Sequence, residues 1–341
     1  MSAATSLAVV MLAALIIYAL LGGADYGAGF WDLLCSGPRR DQQRRLIEEA
    51  IGPIWEANHV WLILVVVLTF SGFPSVFAAI TVGLAVPVFL VLLGVVLRGS
   101  SFVFRAYFTG SVNTQLYWGK VFSISSCITP FFLGVVVGGI SSEQVLVTNG
   151  VSANGFLETW FQPFPLIVGV LALSLFAYLS ACYLAIEADE SQLKEDFRNR
   201  ALFSGFVALI VAFATYVVAG NSAQGIRDGL SRPLVGFIEL CAAVASLVAF
   251  HSLWVRRFNR ARIASVTQVT LILMGWGVAQ YPWMVRPDLT ISNSAAPESV
   301  VSSLLGALAL GALVLFPSLA LLLWIFKSHR RSSSATGETA L

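Results

Sequence analysis

Apolar stretches of about twenty residues recur along the chain, each long enough to cross a bilayer, whose hydrocarbon core is about 30 Å thick against a helical rise of about 1.5 Å per residue. They fall near 4–24, 51–72, 75–97, 117–139, 163–186, 201–220, 233–254, 263–285 and 300–326. Inside lipid the backbone must satisfy its own hydrogen bonds, which leaves helices or a closed barrel. No strand-like alternation runs through these stretches, so the expected fold is all-α: a polytopic membrane protein with nine transmembrane helices. Composition agrees. Of 341 residues 57% are apolar and 11% charged, with mean hydropathy +0.84, where a soluble domain carries about 25% charged residues. Disorder is excluded, because it requires low hydrophobicity and high charge. A net charge of +2 with no long basic block offers no track for phosphates, so membrane lipid is an expected partner and nucleic acid is not. Cys35, Cys127, Cys182 and Cys241 lie far apart without a C-x-x-C pair, and neither a disulfide framework nor a metal site is expected.

Charge between the spans sets a direction. Segments 38–49, 98–120, 187–200 and 255–262, together with the tail, hold 17 of the 20 basic residues. Nine spans with the N-terminus outside and the C-terminus inside place all of these in the cytoplasm, as the positive-inside rule requires. The first apolar stretch has no Lys or Arg before it, so it reads as a retained span and not as a signal peptide. Residues 1–330 are expected to form a single integral membrane domain, with 331–341 a disordered cytoplasmic tail. The membrane is expected to be the cytoplasmic (inner) membrane of a prokaryote.

A charge at the centre of a spanning helix costs roughly 2.5–3.5 kcal/mol on insertion scales, so such residues are candidates for function. Asp25 ends span one, Glu56 lies about one turn into span two, Arg98 closes span three and Glu239 lies in span seven. The expected topology brings Asp25, Glu56 and Arg98 to one depth near the cytoplasmic face. There they form either a proton-exchanging cluster or a structural ion pair between helices. Trp55, Asn58, His59 and Trp61 surround Glu56 in sequence and are expected to support it. Glu56 and His59 share a helix face, which is half of a di-iron motif, but no second Glu-x-x-His exists. His59 and His251 are the only histidines in or near the spans, a thin basis for haem ligation. Glu239 reads first as a helix–helix hydrogen bond and second as an ion or quinone contact. No phosphate-binding glycine motif or nucleophile triad is present.

The runs Gly22-Gly23-Ala24-Asp25-Tyr26-Gly27-Ala28-Gly29-Phe30 and Ile51-Gly52-Pro53-Ile54-Trp55-Glu56-Ala57-Asn58-His59-Val60-Trp61-Leu62 closely resemble subunit II of cytochrome bd quinol oxidase. The likeness continues through Arg98-Gly99-Ser100-Ser101-Phe102-Val103-Phe104-Arg105 and returns weakly at Gln280-Tyr281-Pro282-Trp283-Met284. The resemblance implies two four-helix bundles plus one peripheral helix. It implies a partner, subunit I, that binds two b-type haems and haem d and reduces oxygen, while subunit II ligates no haem and is not catalytic alone. It also implies a role for Glu56, Asp25 and Arg98 in bringing protons toward haem d, and Glu239 and Arg105 are further candidates from the residues themselves. A structural quinone on this chain and a small third subunit are compatible with the family. Some relatives carry an additional acid where this chain has Gly22. A purely structural or assembly subunit is the alternative reading, and a secondary transporter, which should show inverted repeats, is a more distant one.

Overall fold

The computed structural model describes residues 2–51, 55–107, 112–148, 151–152 and 157–336. Side chains at 55–57, 106–107, 112–113, 147–148, 151–152, 316, 319–320 and 322–336 lie outside that description. The elements in chain order are α1 (Ala3–Leu33), α2 (Arg40–Ile51), α3 (Trp55–Gly72), α4 (Pro74–Gly83), α5 (Ala85–Tyr107), α6 (Val112–Ser141), the strands β1 (Val147–Thr148) and β2 (Val151–Ser152), α7 (Pro163–Glu187), α8 (Ser191–Ser222), α9 (Gln224–Leu230), α10 (Pro233–Trp254), α11 (Phe258–Gln280), the strands β3 (Trp283–Val285) and β4 (Leu289–Thr290), α12 (Ile291–Ser294) and α13 (Glu298–Thr336). Each strand pair is a short antiparallel ribbon in a loop. Among the described residues eight helices are long and apolar enough to cross a membrane, or nine if the bent pair α3–α4 counts as one span.

Local sequence explains most boundaries. Pro74, Pro163 and Pro233 stand at the first helical positions of α4, α7 and α10, where the missing N–H costs nothing. Pro87 was expected inside a span beginning at 75. The chain instead turns by 115° between α3 and α4, α5 begins at Ala85, and Pro87 falls in its first turn, where no ladder bond is lost. The first span was expected to end at 24, yet α1 continues through Asp25 to Leu33, because that acid is buried and hydrogen-bonded. Similarly, α11 ends at Gln280, short of the expected 285. α13 runs on to Thr336, into the stretch read as a disordered tail, and 337–341 lie outside the described residues.

α1 is the hub, packing on α3, α6, α7, α11 and α13. Its closest approach is at Gly27, where a Cβ would stand 2.0 Å from the carbonyl oxygen of Phe176 on α7. The same contact lets the Trp31 indole N–H donate to the Ala177 carbonyl at 2.8 Å. Small residues permit this backbone contact between membrane helices. Loops rich in arginine gather at one end of the bundle. Arg39 pairs with Asp196 at 2.5 Å, Arg200 donates to the Gln43 amide oxygen at 2.7 Å, and Arg198 donates to the Leu253 carbonyl at 2.7 Å. α2 is thereby fastened across that end. The outward faces of α8, α10 and α13 are apolar, with Phe213, Leu247 and Leu313 all exposed.

Gly27→Ala is expected to lower the stability of the detergent-solubilised assembly by about 1–3 kcal/mol through overpacking, read as a fall in thermal midpoint. Gly236→Ala, where an added Cβ meets nothing within 4 Å, is the matched control and leaves the midpoint unchanged.

Candidate functional site

Ionisable side chains inside the bundle collect where α1, α3, α5 and α6 meet. Asp25 on α1 is buried, and the Asn58 side-chain amide on α3 donates to its Oδ2. Arg98 on α5 is only 1% exposed. Its Nε donates to Ser126 Oγ on α6 at 3.2 Å, and its guanidinium lies 4.7 Å from the Tyr26 ring centroid and 5.2 Å from that of Phe122. Aromatic faces attract a cation through their quadrupole, more strongly when water is excluded. Among the described residues Arg98 makes no ion pair within 4 Å, so its charge acts on Asp25 through space. Tyr18 O–H donates to Tyr26 Oη at 3.3 Å, and the two tyrosine rings flank His59 at 6.1 and 5.9 Å. Trp61 is buried nearby among Tyr18, Tyr26 and Phe176. Glu56 and Trp55 open α3, and their side chains lie outside the described residues.

A second buried acid, which the sequence reading passed over, stands beneath the first. Asp32 is 1% exposed. Ser123 Oγ on α6 donates to its Oδ2 at 2.6 Å, Arg105 Nη1 on α5 lies 3.4 Å from the same oxygen, and Arg44 Nε on α2 lies 3.6 Å from Oδ1. Arg105 also pairs with Glu48 of α2. A signal was available in the spacing. Asp32 follows Asp25 by seven residues and Arg105 follows Arg98 by seven, and residues seven apart return to nearly the same helix face.

Glu239 corrects an expectation. It was read as a buried acid bonded between helices, but it lies on the exposed face of α10 beside the exposed Phe237 and Leu240. α10 is apolar on every side, so nothing in its sequence marks which side packs. His251 is exposed at the other end of the same helix. Among the described residues His59 lies against two tyrosine rings of α1, and His251 is exposed at the end of α10. Among the described residues no group of three or more His, Cys, Asp or Glu could hold a metal ion.

Residues 3–326 match the family model described as cytochrome bd terminal oxidase subunit II. The chain belongs to that family. Among its relatives, the putative cytochrome bd menaquinol oxidase subunit II of Bacillus subtilis is 23% identical over 316 residues, covering 88% of this chain and 89% of the relative. The cytochrome bd-I ubiquinol oxidase subunit 2 of Escherichia coli K12 is 26% identical over 312 residues, covering 82% and 81%. The fold matches a chain of the bd oxidase from Geobacillus thermodenitrificans with a TM-score of 0.79 at 23% identity, covering 96% of this chain and 99% of that one. The protein is thus a multi-pass membrane subunit of an oxidoreductase complex, one that includes a subunit I and carries haem.

Asn58→Leu removes the donor that Asp25 accepts from, leaving a buried carboxylate oxygen unsatisfied. The expected cost is about 1–3 kcal/mol of stability, measured as a lower thermal midpoint of the assembled complex, with Asn58→Gln losing less.

Proposed function

We propose that this chain is the second subunit of a quinol:oxygen oxidoreductase in an aerobic respiratory chain of a prokaryotic cytoplasmic membrane. Here it supports a haem-bearing subunit I and helps conduct cytoplasmic protons toward the site where oxygen is reduced to water. The orientation follows from charge: with the N-terminus outside, the arginine-rich end faces the cytoplasm. Subunit I is the seat of the b-type haems and haem d, which supply the oxygen chemistry when bound. A structural quinone against this chain and a small third subunit complete the assembly. The names of the relatives, menaquinol and ubiquinol oxidase subunits, support a quinol as the electron donor.

One observation carries the proton role: Asp25 is a carboxylate inside the bundle, hydrogen-bonded by Asn58 and within the field of Arg98. Each O2 molecule reduced to two waters consumes four protons, and a site enclosed by protein receives them only through titratable or hydroxyl groups and water. A carboxylate accepts a proton on one oxygen and releases it from the other, so a fixed, buried acid near the cytoplasmic end suits the task. Glu56, at the start of the neighbouring α3, is the proposed companion acid, and Arg98 lies within the field of Asp25. The polar and aromatic fastening of Arg98 to Ser126, Tyr26 and Phe122 also favours a second reading, in which the cluster serves assembly alone.

The two readings separate in the assembled oxidase. Asp25→Asn, and independently Glu56→Ala, are expected to depress quinol-driven oxygen consumption by at least about tenfold while the haem absorbance persists. Haem absorbance lost together with activity supports the assembly reading, and unchanged turnover in both variants removes the proton role.

A further inference from the structure

The seam between α1, α5 and α6 is built in two tiers. The inner tier is Asp25, Arg98 and Ser126, and the outer tier is Asp32, Arg105 and Ser123. The two aspartates are seven residues apart on α1, the two arginines seven apart on α5, and the two serines three apart on α6. Each pair therefore shares a helix face. In α1 the tiers are about 10 Å apart along the axis, at about 1.5 Å per residue. α6 runs opposite to α1 and α5, which is why its lower-numbered serine belongs to the outer tier. Between the tiers stands Gly29, where a Cβ would lie 2.2 Å from Ser126 Oγ. The missing side chain lets that hydroxyl press against α1 between the two acids.

The outer tier reaches water. Arg105 joins Asp32 to Glu48, whose side chain is 45% exposed, while that of Asp32 is 1% exposed. The charged and polar groups around Asp32 come from every neighbouring element. Arg44 and Glu48 lie on α2, Arg105 on α5 and Ser123 on α6, Cys35 follows α1, and Arg200 of α8 sits over the adjoining Trp31 ring at 5.3 Å.

We propose that Asp32 is the entry carboxylate of the proton route, an assignment that rests on the proton-conducting reading of Asp25. A proton from water at the exposed end, by way of the Glu48 carboxylate, binds an Asp32 carboxylate oxygen. It leaves that oxygen along the serine hydroxyls of α6, Ser123 and then Ser126, and ends on the Asp25 carboxylate. One proton enters and one moves inward, and nothing is oxidised or reduced. Arg105 and Arg44 position the Asp32 carboxylate beneath α2. The proposal also gives this chain a concrete entrance where Gly22 offers no acid. The Tyr18 ring fills the space above Gly22, 2.9 Å from the place of a Cβ.

The test uses the whole oxidase, with turnover followed against pH, haem absorbance as the measure of assembly, and Asp25→Asn as the reference. Asp32→Asn is expected to cut oxygen consumption by at least about tenfold with haem absorbance intact, and to make the fall toward alkaline pH steeper, because proton supply then limits. Asp32→Glu is expected to restore most of the turnover, which a merely structural loss would not explain. Glu48→Gln is expected to show its defect chiefly at alkaline pH. If Asp32→Asn matches the parent in turnover and pH profile while Asp25→Asn is impaired, the entrance lies elsewhere and the proton route survives. If both variants match the parent, the proton reading itself fails. Should Asp32→Asn fail to assemble, Ser123→Ala and Glu48→Gln decide, and a parental pH profile in both overturns the assignment.

Discussion

Close approach of backbones at α1 governs the rest of the structure. A membrane interior gives no hydrophobic reward for one apolar helix choosing another, so packing and polar contacts must specify the arrangement. Gly27 brings α1 against the Phe176 carbonyl of α7, and Gly29 brings it against Ser126 of α6. Those two contacts turn the acids of α1 inward. Asp25 then finds Asn58, Asp32 finds Ser123 and two arginines, and Trp31 finds the Ala177 carbonyl. A larger residue at either glycine would push the carboxylates away from these partners, and an unpartnered charge in low dielectric is costly.

The two ends of the bundle are held differently. At the arginine-rich end the fastening is made of side chains reaching between loops, such as Arg39 to Asp196 and Arg256 to Glu195. Solvent-exposed pairs of this kind contribute little singly, because water and salt screen them. Their effect is collective, holding the amphipathic α2 over the end of α1. At the other end the links are backbone-directed and more deeply set. Arg286 is 6% exposed and donates to the Gln280 amide oxygen and the Ala279 carbonyl, and its own N–H donates to the Ile140 carbonyl. Burial lowers the pKa of its guanidinium from the ordinary value.

Much of this was legible from residues alone. The apolar stretches gave the all-α membrane fold, and the rarity of charge within them singled out Asp25 and Arg98, which the structure brings to one seam. Asn58 and His59 also fall beside that seam. Three features were not legible, each for its own reason. Asp32 lies where the apolar stretch gives way to polar sequence, and only the folding of α2 over it makes it buried. Glu239 sits on a helix that is apolar all round, so no periodicity tells the packed side from the exposed one. The sharp turn between α3 and α4 follows Gly72-Phe73-Pro74, a break that hydropathy averages over because both flanks are apolar.

A latch for α2 alone does not require an acid buried as deeply as Asp32. A latch needs only exposed pairs, and Arg39 with Asp196 already supplies one at 2.5 Å. Burying Asp32 to 1% exposure forfeits hydration worth several kcal/mol per ion in real proteins, which its pairings must offset. A well-packed apolar residue at that position would secure α1 against α6 without such an offset. The cost is understandable if an ionisable group is required there. The repeat of acid, arginine and serine across two levels of the same three helices is the pattern on which the proposed entrance rests.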